Sequence, residues 1–503
     1  MKPYIIALIL VLGCLAFLAF NLGDLGLMKG DENYYFSSAR RMITDGDWIT
    51  PRYHHHIRFE KPVLYYWVVV LFLKLFGTSW AAARMTSVLF GTLTVLLTYL
   101  MGLRFFAKKP AFLSAIILAT SFLFFQYARL TVIDITFLFL VTFSFYLFIK
   151  GDAEDKRSII FLSSIPLGLS VMAKGPIGVA IFLMTVLIYV IRSKRYRALI
   201  GPQFIFGAFV VLLISLPWPY AMFKLHGREY LNHLWEIEAV DKVAGSMLNI
   251  GEIKALPLYI IKHLGYYIPV VIFSFAPWSL FLPFGIFKKL KVNKDNNRLF
   301  ILSWFWTVFI FFSLVSFKHT HYMLLLSVPL AMIMANFFSG KRAANVIAVI
   351  TMVVYLSLAG FIMPALDDGA MKAFSLKLAS EITMDQEVGI ASREFNLKKL
   401  GVHLNNLITM PYESSGDDFA QYKQRARADK LLPFLESDER VFCLITKKDY
   451  INTVPEDLRK RLYILETNPV WKKFKLKSAL PVILEADWKS LKEEAYLISN
   501  RRQ

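Results

Sequence analysis

Long apolar stretches recur along the first 365 residues of the chain and are separated by short polar or basic segments. A helix rises about 1.5 Å per residue, so a run of about 20 apolar residues crosses the roughly 30 Å hydrocarbon core of a bilayer. The pattern predicts eleven membrane-spanning helices, near 3–20, 84–103, 110–128, 132–149, 158–173, 176–191, 198–221, 264–287, 299–317, 321–339 and 345–365.

One further apolar stretch, 62–76, is short and carries Lys74, which predicts an interfacial or re-entrant helix instead of a span. With the N-terminus inside, the predicted inner loops and Lys2 hold 18 Lys/Arg and 4 Asp/Glu, whereas the outer loops hold 16 and 12. This asymmetry follows the positive-inside rule. Because a twelfth span at 62–76 would invert the later loops, the loop charges support the count of eleven.

Composition agrees with a polytopic helical membrane protein. Of the 503 residues, 56% are hydrophobic and only 19% are charged, which excludes an ordinary soluble multidomain protein. Most of the formal net charge of +20 lies in the first 365 residues. The two cysteines, Cys14 and Cys443, are too few and too far apart for a disulfide framework or a clustered metal site.

Beyond Pro364 the chain has the composition of a water-soluble domain. Short β-type runs at 388–392, 440–446, 461–467 and 481–486 alternate with charged segments of helical character. This alternation predicts a small α/β domain, which an odd number of spans places outside. We therefore expect a membrane domain over 1–365, with outer loops 24–80 and 222–263, and a C-terminal α/β domain over 366–503.

Ionisable residues at or in the membrane point to chemistry, because they are placed there against a solvation cost. Under this topology they gather at the outer ends of the helices, which indicates a cavity facing the outer leaflet instead of a pore. Each group also has a plainer interpretation: Asp31 and Glu32 as a solvated helix start, Asp134 as a structural partner of Arg129, and Lys174 as a lysine that reaches to the headgroups.

A series of motifs along roughly residues 24–340 resembles one family. The chain is similar to the ArnT-like (aminoarabinose transferase) branch of the polyprenol-phosphate-sugar glycosyltransferases, which are relatives of the protein O-mannosyltransferases and have the GT-C fold. The motifs that carry the likeness are GDENYY (30–35), MxxxGDWIxP (42–51), FEKPxxYYW (59–67), ARxxxxD (128–134), AKGPxG (173–178), LPW (216–218), HxGYYxP (263–269), APW (276–278) and SFKHxHYML (316–324). One departure is Glu238-Ala239-Val240-Asp241-Lys242, where the family often has an acidic residue, then His or Asn, then Arg-Phe.

The resemblance implies an inverting glycosyltransferase that uses an undecaprenyl-phosphate-linked sugar donor and a lipid A-like glycolipid acceptor at the outer face of the inner membrane. Cations would stabilise the charge that grows on the leaving phosphate, and a carboxylate would orient or deprotonate the acceptor. A divalent metal is allowed, with Glu60 as its ligand, although the sequence requires no cofactor. The expected catalytic residues are Asp31, Asp134 and Glu60, and the expected substrate-binding residues are Glu32, Tyr35, Arg58, Lys61, Arg129, Lys174, Lys318, His319 and His321.

Three alternatives stay open at this point. A protein O-glycosyltransferase of the mannosyltransferase type lies within the same family. A lipid or solute transporter fits the composition equally well, although no internal repeat of the kind found in many transporters is visible. A binding or scaffolding protein whose outer domain recruits partners is the third. The expected partners are the lipid-linked sugar, the glycolipid acceptor and membrane lipids, and no nucleic acid.

Overall fold

A computed structural model describes most of the chain as two compact units, Met1–Gly360 and Phe361–Gln503. The described residues are 2–23, 30–53, 56–196, 201–234, 256–287, 295–315, 318–362, 370–381, 388–391, 428–471 and 492–502.

The described residues of the first unit are almost all helical. It contains α1 (Pro3–Ala19), α2 (Gly30–Asp45), α3 (Leu64–Phe76), α4 (Trp80–Phe105), α5 (Lys108–Ala119), α6 (Phe122–Tyr127), α7 (Ile133–Glu154), α8 (Arg157–Leu162), α9 (Ser164–Lys174), α10 (Ile177–Ser193), α11 (Pro202–Ser215), α12 (Pro217–Asn232), α13 (Leu256–Ser274), α14 (Leu282–Phe287), α15 (Asp295–Leu314), α16 (Ser327–Phe338) and α17 (Ala343–Ser357). Two 3₁₀ segments, Trp278–Phe281 and Thr320–Leu326, a π-helical turn at Leu358–Ile362 and a two-stranded hairpin, β1 (Arg52–Tyr53) with β2 (His56–Ile57), complete it.

Within the described ranges, seven helical segments are long and apolar enough to cross a membrane. A bent pair, Gly265–Ser274 with Trp278–Gly285, would make an eighth, and α1, α3 and α10 are shorter apolar helices. The chain is therefore a polytopic helical protein, as predicted. The seven segments are Trp80–Phe105, Ile133–Glu154, Arg157–Lys174, Pro202–Asn232, Asn296–Leu314, Thr320–Phe338 and Ala343–Phe361.

Some polar side chains inside these apolar helices bond to the helix backbone itself. The Oγ1 atoms of Thr94 and Thr98 in α4 donate to the carbonyls of Phe90 and Thr94, at 2.7 and 2.8 Å. A hydroxyl satisfied in this way is not left as an unpaired donor in an apolar setting. At the start of the same helix, the Ser79 side chain accepts from the backbone N–H of Ala82 and so caps it.

The α2–β1 connection is held by two tryptophans from other helices. The indole N–H of Trp67 in α3 donates to the carbonyl of Trp48, and that of Trp218 in α12 donates to the carbonyl of Ile49, both at 2.8 Å. The Thr50 hydroxyl lies 3.0 Å from His226 Nε2 of α12. Two helices distant in sequence therefore fix the backbone that follows α2.

The second unit contains a four-stranded sheet. Its strands are β3 (Val388–Ile390), β4 (Phe442–Thr446), β5 (Tyr463–Trp471) and β6 (Lys492–Ser499), in the order β3-β4-β6-β5. The first pair is parallel and the others are antiparallel. The described helices of this unit are α18 (Ala370–Glu381), α19 (Ala428–Leu435), α20 (Lys447–Thr453) and α21 (Glu456–Arg459).

Strand β4 is buried along its whole length because both faces of the sheet are covered. Phe442 and Leu444 point to a cluster with Phe374 of α18, whereas Cys443 and Ile445 point to a cluster on the other face. A continuous apolar strand of this kind is what a two-sided sheet requires. Strand β6 was not predicted from the sequence, because its first half is charged. The predicted run 481–486 lies outside the described residues.

Candidate functional site

Asp134 and Lys174 form a mostly buried ion pair between two helix ends. Asp134 lies in the first turn of α7 and Lys174 in the last turn of α9, and the lysine Nζ donates to Asp134 Oδ1. Their side chains are only 10% and 12% exposed. Each charge also complements the dipole of its own helix, which favours an anion at the N-terminus and a cation at the C-terminus. The plainer interpretation that paired Asp134 with Arg129 is wrong, because its partner is Lys174.

Two histidines lie beside this pair. His321 Nε2 is 3.9 Å from Asp134 Oδ1, and its ring stacks on His319 at a centroid distance of 5.0 Å. Tyr322 presents its ring 5.7 Å from the Lys174 ammonium. A pocket beside them is lined by Asp134, Lys174, His321 and Tyr322, together with Phe137 and Phe312. The structure thus brings together four of the predicted site residues: Asp134, Lys174, His319 and His321.

The charges around His319 extend the cluster to α2 and to the loop before α3. Partial burial and, next, the Lys174 charge lower the pKa of His319. The carboxylates of Asp31 and Asp134 raise this pKa, and Lys61 lowers it. Both Asp31 and Lys61 are therefore within electrostatic range of the histidines.

Asp31 differs from Glu32 and Asp134 in being solvent-exposed. It lies in the first turn of α2, and among the described residues its carboxylate has no hydrogen-bond or ion-pair partner. An anion is stabilised at a helix N-terminus, so the charge is compatible with its place. Its oxygens are available to a ligand that enters the space next to His319.

Arg58 is held in an aromatic cradle. Its guanidinium lies 4.3 Å from the ring centre of Tyr34 and 5.8 Å from that of Tyr35, and its Nε is 3.4 Å from Glu60 Oε2. Its Nη1 is buried and has no hydrogen-bond partner in the described part of the chain. Tyr35 itself is buried, edge-on to the ring of Tyr65.

Glu60 contacts Arg58, and its side chain is 43% exposed. The described ranges contain no group of three or more His, Cys, Asp or Glu side chains placed to hold a metal ion. A metal role for Glu60 stays a prediction.

Glu32 has contacts that fit a structural role instead of the predicted substrate contact. It is fully buried, and its two carboxylate oxygens accept from Arg84 Nε and Nη2 at 2.8 and 3.0 Å. The backbone N–H of Thr131 donates to the same carboxylate at 2.9 Å. The third contact of Arg84, from Nη1, is to the carbonyl of Leu22. The group therefore fastens the segment after α1 to α2, α4 and the α6–α7 connection.

Arg129 also makes structural contacts, with the backbone at the end of α1. Its Nη1 and Nη2 donate to the carbonyls of Leu18 and Phe20, at 2.8 and 2.6 Å. These carbonyls lie at the C-terminal end of α1, which a cation stabilises. In the structure Arg129 therefore caps α1, and its substrate contact stays a prediction. Arg84 was not among the predicted site residues, and a charge near the start of an apolar helix was the signal of its role.

Lys318 also bonds to a helix end. Its Nζ donates to the carbonyls of Phe312 and Ser313, at 3.0 and 2.6 Å, and lies 5.1 Å from the ring centre of Tyr267. Burial lowers the pKa of Lys318 to about 8. The lysine therefore caps α15 in this structure, and its substrate contact stays a prediction.

Two aromatic residues of the site, Tyr34 and Tyr322, were not predicted as site residues. Tyr34 and Tyr322 directly follow motif residues in GDENYY and KHTHY. The sequence analysis assigned Tyr34 no role, and Tyr322 was simply part of a motif. Their position next to charged motif residues was the signal that could have identified them.

Comparison with known proteins confirms the family resemblance. Residues 60–220 match the family model described as dolichyl-phosphate-mannose-protein mannosyltransferase. The chain is 31% identical to an uncharacterized protein of Aquifex aeolicus over 69% of this chain and 66% of the relative. It is 30% identical to an undecaprenyl phosphate-alpha-4-amino-4-deoxy-L-arabinose arabinosyl transferase of Edwardsiella ictaluri, over 63% of this chain and 57% of the relative. These matches thus span less than two thirds of either relative.

The fold agrees as well. The crystal structure of ArnT from Cupriavidus metallidurans bound to undecaprenyl phosphate superimposes with a TM-score of 0.72 at 16% identity, covering 99% of this chain and 98% of that one. At this identity the likeness establishes the fold, which is the GT-C fold of a multi-pass membrane protein.

Proposed function

We propose, from the relationship of this chain to the ArnT-like polyprenol-phosphate-sugar glycosyltransferases, that it is an inverting glycosyltransferase. The donor is a sugar, an aminoarabinose-like pentose or a hexose, carried on undecaprenyl phosphate. The acceptor is lipid A or a related glycolipid at the outer face of the inner membrane. The observation that carries the proposal is the grouping of Asp31, Lys61, Asp134 and Lys174 around the two histidines.

The ammonium groups of this cluster suit a phosphate leaving group. Negative charge on the carrier phosphate grows as the glycosidic bond breaks, so Lys61 and Lys174 stabilise the transition state more than the ground state. A lysine has three N–H donors. Lys174 therefore keeps its bond to Asp134 while it donates to a phosphate, and Asp134 acts by holding the ammonium in place.

The exposed carboxylate of Asp31 suits the acceptor. Where the acceptor is a hydroxyl, Asp31 takes its proton as the oxygen attacks the anomeric carbon from the face opposite the phosphate. A phosphate acceptor is already ionised and needs no base, in which case Asp31 only positions it. Arg58, with a buried unpaired Nη1, supplies a planar donor for an acceptor phosphate or for the sugar hydroxyls.

The proposed topology has eleven spans and places 62–76 in the interface, with the candidate site on the periplasmic side. The C-terminal α/β domain, 366–503, lies on the same side. Helix α3 has 13 residues, about 20 Å, which is too short for a straight span and supports this topology. Single cysteines at Gly46 and Lys156 test it by labelling in intact cells: Gly46 should react and Lys156 should not. Labelling at Lys156 would contradict the count of eleven spans.

A protein O-glycosyltransferase is the second candidate, because the match over 60–220 is to a mannosyltransferase family. A transporter is the alternative from another class. The purified chain should be reconstituted with a panel of undecaprenyl-phosphate sugars and with lipid A or an acceptor protein, and products read by mass spectrometry. A glycosylated lipid A is expected. A glycosylated protein would favour the second candidate, and lipid movement across vesicles without any product would favour the transporter.

A further inference from the structure

A surface groove between α8 and α11 lies at the far end of a span from the candidate site. The span Arg157–Lys174 carries Lys174 at one end and Arg157 at the other, about 26 Å apart at about 1.5 Å per residue. The groove has an open volume of about 480 Å³ and is lined by Arg157, Ser158, Phe161, Gln203, Phe206 and Phe209, among others.

Gln203 is the unusual residue of this groove. Its side chain is 6% exposed, and neither Oε1 nor Nε2 has a hydrogen-bond partner within the described residues. An amide group that is buried without hydrogen-bond partners destabilises the folded protein, because it has lost its bonds to water. Because one of its free atoms donates and the other accepts, a ligand that offers both kinds of group would remove the cost.

The rest of the groove has an apolar wall and a charged end. Phe206 and Phe209 are 62% and 63% exposed, so this side of α11 faces outward from the protein. Arg157 and Ser158 are exposed at the start of α8. A polar, positively charged end that continues into an aromatic wall fits a molecule with an anionic head and a hydrocarbon tail.

We propose that this groove binds an anionic glycerophospholipid of the leaflet opposite the candidate site. The lipid phosphate contacts the Arg157 guanidinium and the Ser158 hydroxyl. A headgroup hydroxyl and an ester carbonyl pair with the Gln203 amide, and one acyl chain lies along Phe161, Phe206 and Phe209. A zwitterionic phosphatidylethanolamine is disfavoured, because its ammonium would face Arg157. The proposal is independent of the proposed transfer reaction.

The test uses the full chain in nanodiscs of mixed phosphatidylglycerol and phosphatidylethanolamine, with the retained lipid identified by native mass spectrometry. Wild type should retain phosphatidylglycerol. Gln203→Leu, which is close in size and removes both polar atoms, and Arg157→Gln should each lower its retention about tenfold, the effect of losing one hydrogen bond to a charged or polar headgroup.

Two further variants separate binding from folding. Arg192→Gln removes an exposed cation of α10 that does not line the groove and should leave lipid retention at the wild-type level. Gln203→Glu keeps the shape and adds a charge that repels phosphate, so it should lower retention at least as much as Gln203→Leu. Equal retention of both lipids by wild type, or unchanged retention by the correctly folded Gln203→Leu variant, would overturn the proposal.

Discussion

Two groups of buried charges in the membrane unit differ in how their hydrogen bonds are used. In the first, both oxygens of Glu32 and three nitrogens of Arg84 are occupied by each other or by backbone groups. In the second, Lys174 contacts Asp134 with His321 nearby, and the pair opens onto a pocket. A saturated ion pair fixes the fold, whereas a pair that still has capacity for a ligand is placed for chemistry.

The largest expected effect comes from breaking the saturated group. Arg84→Met removes the guanidinium and leaves the charged Glu32 carboxylate buried without a counter-charge. The loss of one partner of a buried ion pair costs about 3–5 kcal/mol. We expect poor expression and a large drop in the thermal unfolding temperature in detergent. The double variant Arg84→Met/Glu32→Leu removes both charges and should recover much of the loss. No recovery in the double variant would contradict the account.

The exposed carboxylate of Asp31, at the start of α2, gives the second test. Asp31→Asn keeps the size and removes an exposed charge, so stability should stay near wild type while transfer falls by roughly 10²-fold or more, the scale of an acid/base or electrostatic contribution. Asp45→Asn, at the exposed end of the same helix, is the control. Transfer and thermal unfolding should be measured together, and a well-folded Asp31→Asn protein with normal turnover would exclude the catalytic role.

Substitution of Lys61 or Lys174 should give a smaller effect. Lys61→Ala and Lys174→Ala should each weaken binding of a non-reactive polyprenyl phosphate by about tenfold, the effect of one charge-assisted contact. Because both ammonium groups bind one ligand, the double variant should depart from additivity. Binding and single-turnover transfer are the measurements, with exposed Lys224→Ala as the control. If neither quantity changes in folded protein, the phosphate site is misplaced.

The smallest effect concerns pH. The pKa of Lys318 is lowered by burial to about 8, below the value of an unfolded lysine. Between pH 8 and about 10.5 the unfolded chain therefore holds the extra proton, and stability from this group rises with pH. Relative to Lys318→Met, the wild-type unfolding temperature should increase across this window and stay constant below it. If the difference in unfolding temperature between the two proteins does not change with pH, burial does not lower the pKa of Lys318.

The sequence predicted the helices better than the contacts of the site. Apolar runs such as 84–103 and 132–149 are local signals, and the structure has helices Trp80–Phe105 and Ile133–Glu154 there. Partners are not local: Arg84 is 52 residues from Glu32, and Lys174 is 40 from Asp134. Motif spacing alone therefore placed both Asp31 and Glu32 at the site, although one is exposed and the other fully buried.

The two indole hydrogen bonds to the Trp48 and Ile49 carbonyls make the α2–β1 connection a mechanical link. Helix α12, which is kinked at Gly227, cannot shift relative to α3 without either pulling this connection along or breaking a bond worth about 1 kcal/mol. Since the connection continues directly from α2, a displacement of α12 is transmitted to the helix that carries Asp31. A movement of α12 thus reaches Asp31 through this connection and along the length of α2, because Asp31 lies in the first turn of that helix.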